Sequence, residues 1–365
     1  MRLCVRADAS AQIGTGHIMR CIALADELRI QGAEVSFVCR EHAGHLIQLI
    51  EQKGYPVERL QNPDKEYSAT SEDIAHAAWL GVSWEQDAAE TIAALGKARP
   101  DWLIIDNYSI DSRWEDELRP HADKTMVIDD LADRLHDCDL LLDQNLYQAM
   151  ETRYDNLVPD KCKRLLGPKY ALLRPEFTVA RKNLRQRDGQ VRRVLVFFGG
   201  VDATNETLKT LLAIQHLNRP DLLIDVVIGA QNPHRGKLES MTSSLEGVTT
   251  HFQVTNMAEL IARADLYVGA AGTTTWERCC LGLPSLVITV AANQVHATRY
   301  LDSLGVLAYL GESGTVDRER LSTAIEACMM SKQRLKAQSE DGQELVDGFG
   351  ASRCADAIIH FPPER

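Results

Sequence analysis

A histidine set in a glycine turn is the residue of this sequence best placed to move a proton. The run Ile13-Gly14-Thr15-Gly16-His17-Ile18-Met19-Arg20 follows a short apolar segment. Gly14 and Gly16 permit a tight turn and close approach of the backbone to a ligand. A helix beginning there leaves its first amides without intrahelical partners, and His17 lies in that first turn. Imidazole titrates near neutral pH, which suits general-base work, and the helix N-terminus disfavours its cationic form. A structural or capping histidine is the competing reading. Farther on, Ile105-Asp106-Asn107-Tyr108-Ser109-Ile110-Asp111 places acids and a phenol at a strand end. Tyr108, and Asp8 with similar standing, could orient a substrate or polarise water. Turn chemistry by Asp and Asn explains each residue equally well.

A second group of segments fits a phosphorylated ligand. Phe198-Gly199-Gly200-Val201-Asp202-Ala203-Thr204-Asn205 runs from a strand through small residues into a helix, which Thr204 or Asn205 can cap, or where they can donate to a phosphate. In Gly269-Ala270-Ala271-Gly272-Thr273-Thr274-Thr275-Trp276-Glu277 the small residues admit a phosphate close to the backbone. Thr273 and Thr274 supply hydroxyls and N–H groups at the helix start. Glu277 has the wrong sign for a phosphate but can accept from the diol of a ribose. Asn256-Met257 opens another helix and, with Gly229-Ala230, could frame a uracil. Asn293 and Gln294 could read hydroxyl or acetamido groups of a sugar. An ordinary βα turn and a capped helix are the bland alternatives. A dinucleotide fingerprint fits poorly: Met19 stands at the third glycine position, and the second strand ends Val38-Cys39-Arg40 without an acid before Glu41. Only Arg40 favours an NADP oxidoreductase.

The elements that must position these residues alternate between short apolar runs and longer segments of helical period, the pattern of parallel sheets covered on both faces. Strands are predicted at 2–6, Glu34–Cys39, Trp102–Asp106, Met126–Asp130 and Leu140–Asp143, with a helix from about Gly16 that buries Ile18, Ile22, Ala25 and Leu28. Residues 62–75 read as a polar loop. After a stretch of weak periodicity at 150–190 the pattern restarts, with strands at Val194–Phe198, Leu223–Ile228, Leu266–Val268 and Ser285–Val290. Helix is predicted over 316–346, and a short amphipathic helix over Ala351–His360. This is an α/β chain of two Rossmann-like domains, expected at 1–165 and 166–350, with 351–365 packing back on the first. In open parallel sheets ligands sit beyond the carboxyl ends of the strands, and the segments above lie there.

The bulk properties narrow the class. At 365 residues two domains are the natural expectation. With 45% hydrophobic and 25% charged residues, the composition is that of an ordinary globular protein. No apolar run is long enough to span a bilayer, and the first residues read as a strand and not as a leader, so a cytoplasmic protein is expected. A net charge of −12 argues against nucleic acid as a partner. The nine cysteines have no metal-ligand spacing and are expected as buried thiols; no metal or cofactor is implied. A small-molecule substrate and a monomer or weak oligomer are the expectation.

The motifs in combination resemble a family. Arg6-Ala7-Asp8-Ala9-Ser10 with Ile13 to Cys21 is similar to the opening of the UDP-2,4-diacetamido-2,4,6-trideoxy-β-L-altropyranose hydrolases of pseudaminic acid biosynthesis. Asp106-Asn107-Tyr108, Ile128 to Arg134, Gly167-Pro168-Lys169-Tyr170-Ala171-Leu172-Leu173-Arg174-Pro175-Glu176-Phe177, Phe198 to Asp202, and Thr273 to Gly282 extend the resemblance over nearly the whole chain. A more distant likeness is to the GT-B glycosyltransferase that adds N-acetylglucosamine in peptidoglycan synthesis. The resemblance implies a GT-B fold with sheets facing across a cleft. It also implies UDP on the C-terminal domain and inverting hydrolysis at the anomeric carbon, releasing UDP. The family's catalytic histidine falls on His17 and its tyrosine on Tyr108, with Arg174 among the substrate-binding residues. A GT-B transferase using a UDP-N-acetylhexosamine keeps the fold and changes the acceptor. A nucleotide-sugar binding protein without turnover is a third reading.

Overall fold

The computed structural model describes residues 1–63, 67–71, 73–97, 99–252 and 254–362. The chain forms two units. The first comprises Met1–Asn145, Ala149–Arg174 and Phe349–Arg365, and the second Leu146–Gln148 and Pro175–Gly348.

In the first unit the order is β1 (Arg2–Ala7), α1 (Gly16–Ile30), β2 (Glu34–Arg40), α2 (Ile47–Gln52), β3 (Val57–Leu60), α3 (Trp84–Leu95), β4 (Trp102–Asp106), α4 (Ser112–Leu118), β5 (Lys124–Ile128), β6 (Leu140–Asp143) and β7 (Lys163–Leu166). The strands make one parallel sheet in the order β3-β2-β1-β4-β5-β6-β7. β4 is buried along its whole length, as a strand covered on both faces must be, and its Trp-Leu-Ile-Ile run supplies the apolar surface. On α1, Ile18, Ile22, Ala25 and Leu28 are all buried against the sheet. The chain winds outward from β1 to β3, then returns to β4 on the other side of β1. That reversal opens a crevice at the carboxyl ends of β1 and β4.

The second unit runs α5 (Pro175–Lys182), β8 (Arg193–Phe197), α6 (Glu206–His216), β9 (Leu223–Ile228), α7 (Arg235–Thr242), β10 (Val248–Phe252), α8 (Met257–Arg263), β11 (Leu266–Ala270), α9 (Thr274–Cys280), β12 (Ser285–Thr289), α10 (Val295–Ser303), β13 (Ala308–Glu312), α11 (Arg318–Met330) and α12 (Lys332–Leu345). Its parallel sheet has the order β10-β9-β8-β11-β12-β13, so its reversal lies between β8 and β11.

The last helix, α13 (Gly350–Ile359), belongs to the first unit. Ala351, Cys354, Ala355 and Ile358 form its buried stripe, at helical spacing, in the same core as the apolar face of α1. Gln31 Nε2 donates to Asp356 Oδ1 at 3.0 Å, and the Phe361 ring meets Trp102 edge-on at 5.1 Å.

The structure departs from the sequence reading in three places. The first unit continues past residue 165 to Arg174, because Leu165 and Leu172 pack in its core. The helix expected over 316–346 is two helices that break at Ser331. β3, β7, β10 and β13, which the sequence did not reveal, are the outer strands; with one edge unpaired they carry polar residues and a weak apolar signal. The loop expected at 62–75 falls partly outside the described residues. All nine cysteines are buried and free.

Truncating the α13 stripe tests how tightly the chain end is fastened. Ile358→Ala should lower unfolding stability by about 3 kcal/mol, read as a shift of the urea midpoint, since a buried aliphatic is lost without room to collapse. A shift near zero would mean that α13 does not seal this core.

Candidate active site

His17 sits in the first turn of α1, 7% exposed, and its Nδ1 lies 2.6 Å from Asp106 Oδ1 at the end of β4. Arg20, one turn later on the same helix, donates from Nε to Asp106 Oδ2 and from Nη2 to Oδ1, both at 2.7 Å. Burial alone would push the Asp106 carboxyl up, but the Arg20 and His17 partners hold it below the usual carboxylate range. An ionised Asp106 can only accept, so Nδ1 carries a proton toward it, and the other ring nitrogen, Nε2, is not engaged by this carboxylate. The turn before the helix is closed by Gly14 N–H donating to Ser10 O at 2.9 Å and by Ser10 Oγ accepting from Ile13 N at 2.9 Å. Gly14 and Gly16 are half-exposed in it.

Tyr108 joins the same cluster. Its ring meets His17 edge-on at 4.6 Å between centroids, and its hydroxyl donates to Asp130. Burial and the Asp130 carboxylate keep it a neutral phenol. Arg20 Nη1 also donates to Asp130 Oδ2 at 2.9 Å. His17, Arg20, Tyr108, Asp106 and Asp130 are thus one connected group from three elements of the sheet's reversal. The sequence reading had named Asp106 only within its motif and had not paired it with His17.

Asp8 is a correction. Its side chain is fully buried and faces away from any solvent, so it is not placed to hold a water or a sugar. Oδ1 accepts from the Arg40 backbone N–H at 2.7 Å, while Oδ2 accepts from Asn107 Nδ2 at 3.0 Å and pairs with Arg6 Nη1 at 2.7 Å. Arg40, considered above for a ribose phosphate, is equally occupied: its Nη2 donates to Asp87 Oδ2 and Glu90 Oε2.

In the second unit the two glycine loops stand at the β8–β11 reversal, with an unexpected division of labour. Asp202 caps α6: its carboxylate accepts from the N–H groups of Glu206 at 2.8 Å and Thr207 at 3.0 Å. Neither Thr204 nor Asn205 does so. The place expected for a phosphate therefore holds a carboxylate of the protein, with Glu206 buried beside it. Gly229 serves packing, because a Cβ on it would come within 2.1 Å of Gly200 O. Likewise a Cβ on Gly269 would lie 2.0 Å from Phe197 O. At α9 the N-cap residue Thr273 makes no side-chain capping bond. Arg278 braces the preceding loop from below, Nη1 donating to Ala270 O at 2.9 Å and Nη2 to Thr275 Oγ1 at 3.1 Å. Gly272 is exposed, Thr273, Thr274 and Glu277 are half-buried, and Gln294 Nε2 lies 3.7 Å from where a Gly272 Cβ would stand. Asn293 is exposed nearby in sequence, Asn256 is exposed at the start of α8, and Met257 is buried behind it. Arg174 is the last residue of the first unit before the chain enters the second. Among the described residues no three His, Cys, Asp or Glu side chains converge as a metal site, and no helix is long and apolar enough to cross a membrane.

Residues 193–349 match the glycosyltransferase family 28 C-terminal domain, and the chain as a whole is a two-domain α/β protein of GT-B-like fold. Over 98% of its length it superposes on the crystal structure of Acinetobacter baumannii MurG, covering 99% of that chain, with a TM-score of 0.66 at 14% identity. Among characterised sequences it is similar to the UDP-2,4-diacetamido-2,4,6-trideoxy-β-L-altropyranose hydrolase of Campylobacter jejuni, 27% identical over 84% of this chain and 97% of that one. It is also 25% identical to the uncharacterized protein MJ1062 of Methanocaldococcus jannaschii over 83% of its own length, and spans only 58% of that protein. The resemblance carried by the motifs therefore stands.

Behind Asp130, Asp143 closes β6 with its side chain fully buried. Tyr154 Oη donates to it at 3.1 Å and Asn145 N at 2.9 Å, yet burial and the nearby Asp130 push its carboxyl up to about 8. Raised above an unfolded value of about 3.9, it holds a proton that the unfolded chain has released between those limits. It therefore stabilises the fold at low pH, and that contribution is lost as pH climbs toward 8. Asp143→Asn should remove a slope of up to about 1.4 kcal/mol per pH unit in this window. Urea unfolding of both proteins between pH 5 and 9 measures it, and parallel slopes would refute it.

Proposed function

We propose that this protein binds a UDP-sugar and transfers the sugar to water, with UDP-2,4-diacetamido-2,4,6-trideoxy-β-L-altropyranose as the substrate and His17 as the general base. The observation that carries the reading is the buried Asp106–His17 pair at the sheet reversal, which engages Nδ1, so Nε2 is the nitrogen assigned to take the proton. The likeness to the Campylobacter hydrolase, which covers nearly all of that protein, supports the substrate.

In this scheme a water on the face opposite UDP attacks the anomeric carbon. Its proton passes to His17 Nε2, the C–O bond to the diphosphate breaks, and the electron pair leaves on UDP. An oxocarbenium-like transition state is expected. Asp106 faces the charge that forms on the ring and keeps the ring from turning, the part an acid plays behind a catalytic histidine. Arg20 holds Asp106 in place. Tyr108, fixed by Asp130, orients the sugar or the water. UDP is assigned to the α9 loop, with Glu277 on the ribose, Asn256 and Met257 beside the uracil, and Asn293 and Gln294 toward the sugar. Asp202 argues against a phosphate on α6. The match to a glycosyltransferase domain favours a second reading, transfer to an alcohol.

UDP release from this substrate, without added acceptor, separates the two. Wild type should release UDP, and His17→Asn and Asp106→Asn should each lower kcat by at least about 10²-fold while UDP still binds. Release that depends on an alcohol would move the assignment to a transferase; near-full activity of His17→Asn would remove it as the base.

A further inference from the structure

Two aromatic side chains that the reaction scheme does not use stand beside the reacting group. His76 precedes, and Trp79 lies within, a 3-10 turn at Ala77–Leu80. Their rings lie 4.4 Å apart, and both pack on Tyr108, His76 at 5.7 Å and Trp79 at 5.9 Å with a 30° tilt. Tyr108 in turn meets His17, so four rings run from Trp79 to the proposed base.

The wall is built into the fold at three points. Leu80 and Ala77 are buried, Leu80 in the core beneath β4. The His76 carbonyl accepts from Ser109 Oγ at 2.6 Å, which ties the turn to the residue after Tyr108. Gly81 ends the turn at φ +77, where a Cβ would press within 3.1 Å of His42 Cε1 and 3.2 Å of Pro63 Cγ. Burial lowers the His76 pKa, so its ring is neutral at pH 7 and presents no charge. Yet Trp79 and His76 remain half-exposed. A tryptophan fixed this firmly, with part of its apolar surface left in water beside the catalytic pair, is a surface made for covering.

We propose that Trp79, braced by His76, is the wall on which the C–H and methyl groups of the sugar pack, and that it binds the sugar and not the UDP. This rests on the reading of His17 as a UDP-sugar site. The ligand chemistry that fits is a hexose rich in apolar groups, deoxygenated or N-acetylated, since a flat neutral ring rewards methyl groups and gains nothing from hydroxyls.

Calorimetric binding to the His17→Asn protein, with and without Trp79→Ala, tests it with UDP-2,4-diacetamido-2,4,6-trideoxy-β-L-altropyranose and UDP as probes. Trp79→Ala should weaken the sugar nucleotide about tenfold and leave UDP unchanged, and Trp79→Phe should recover most of the loss. Equal affinities with and without the indole, parallel weakening of both probes, or a sugar nucleotide bound no tighter than UDP would each overturn it. The failure of the parent reading looks different. If the sugar nucleotide binds with the predicted Trp79 dependence but wild type releases no UDP from it, the hydrolase assignment falls and the wall stands.

Discussion

One buried carboxylate organises the chemistry of the first unit. Asp106 closes β4 where no solvent reaches it, and removing an ion from water costs several kcal/mol unless partners meet it. Arg20 meets both oxygens, and His17 Nδ1 lies against Oδ1 as well. Both partners come from α1, three residues apart and so on one face. The helix cannot turn about its axis without breaking both contacts at once. Its apolar stripe, pressed on the sheet, holds the same rotation from the other side. Position of the helix and orientation of the imidazole are therefore one constraint.

The neighbouring strand ends carry a second, separate set of charges. Arg6, Asp8, Arg40 and Asp87 are all buried, with Trp114 Nε1 donating to Asp87 Oδ1 at 3.0 Å. Each ion meets an opposite charge and at least one further donor or acceptor. Such a network specifies how β1, β2 and α3 come together more than it adds stability, because desolvation offsets much of the Coulomb attraction. It also explains why Asp8, directly after β1, is held by the protein itself: both of its oxygens already meet protein partners.

The second unit illustrates how small residues serve two masters. Gly229 and Gly269 belong to loops read for a ligand, but the backbone of the protein itself, at Gly200 and Phe197, fills the space that their missing side chains leave. Asp202 then supplies the anion that the first turn of α6 requires. The loop before α9 is different in kind. It is braced from below by Arg278, and its N-cap Thr273 makes no side-chain capping bond.

Local periodicity was enough to recover the central strands, the buried face of α1 and the final helix, because each depends on the spacing of apolar residues within one element. The glycine-flanked His17 and the Asp106–Tyr108 motif were legible for a similar reason: strand ends in such sheets are marked by turn residues. Edge strands escaped, since half their surface is solvated and they need no apolar run. What one-dimensional reading could not supply were pairings across long stretches of chain. Asp8 and Asp106 are both acids at strand ends, alike in sequence; only the packing decides that Asp106 faces the imidazole 89 residues away and Asp8 faces an arginine. Asp202, Thr204 and Asn205 are all competent caps, and the backbone path selects Asp202. The turn that brings Trp79 to Tyr108 left no motif, because aromatic contact is made by shape in three dimensions and needs no particular spacing along the chain.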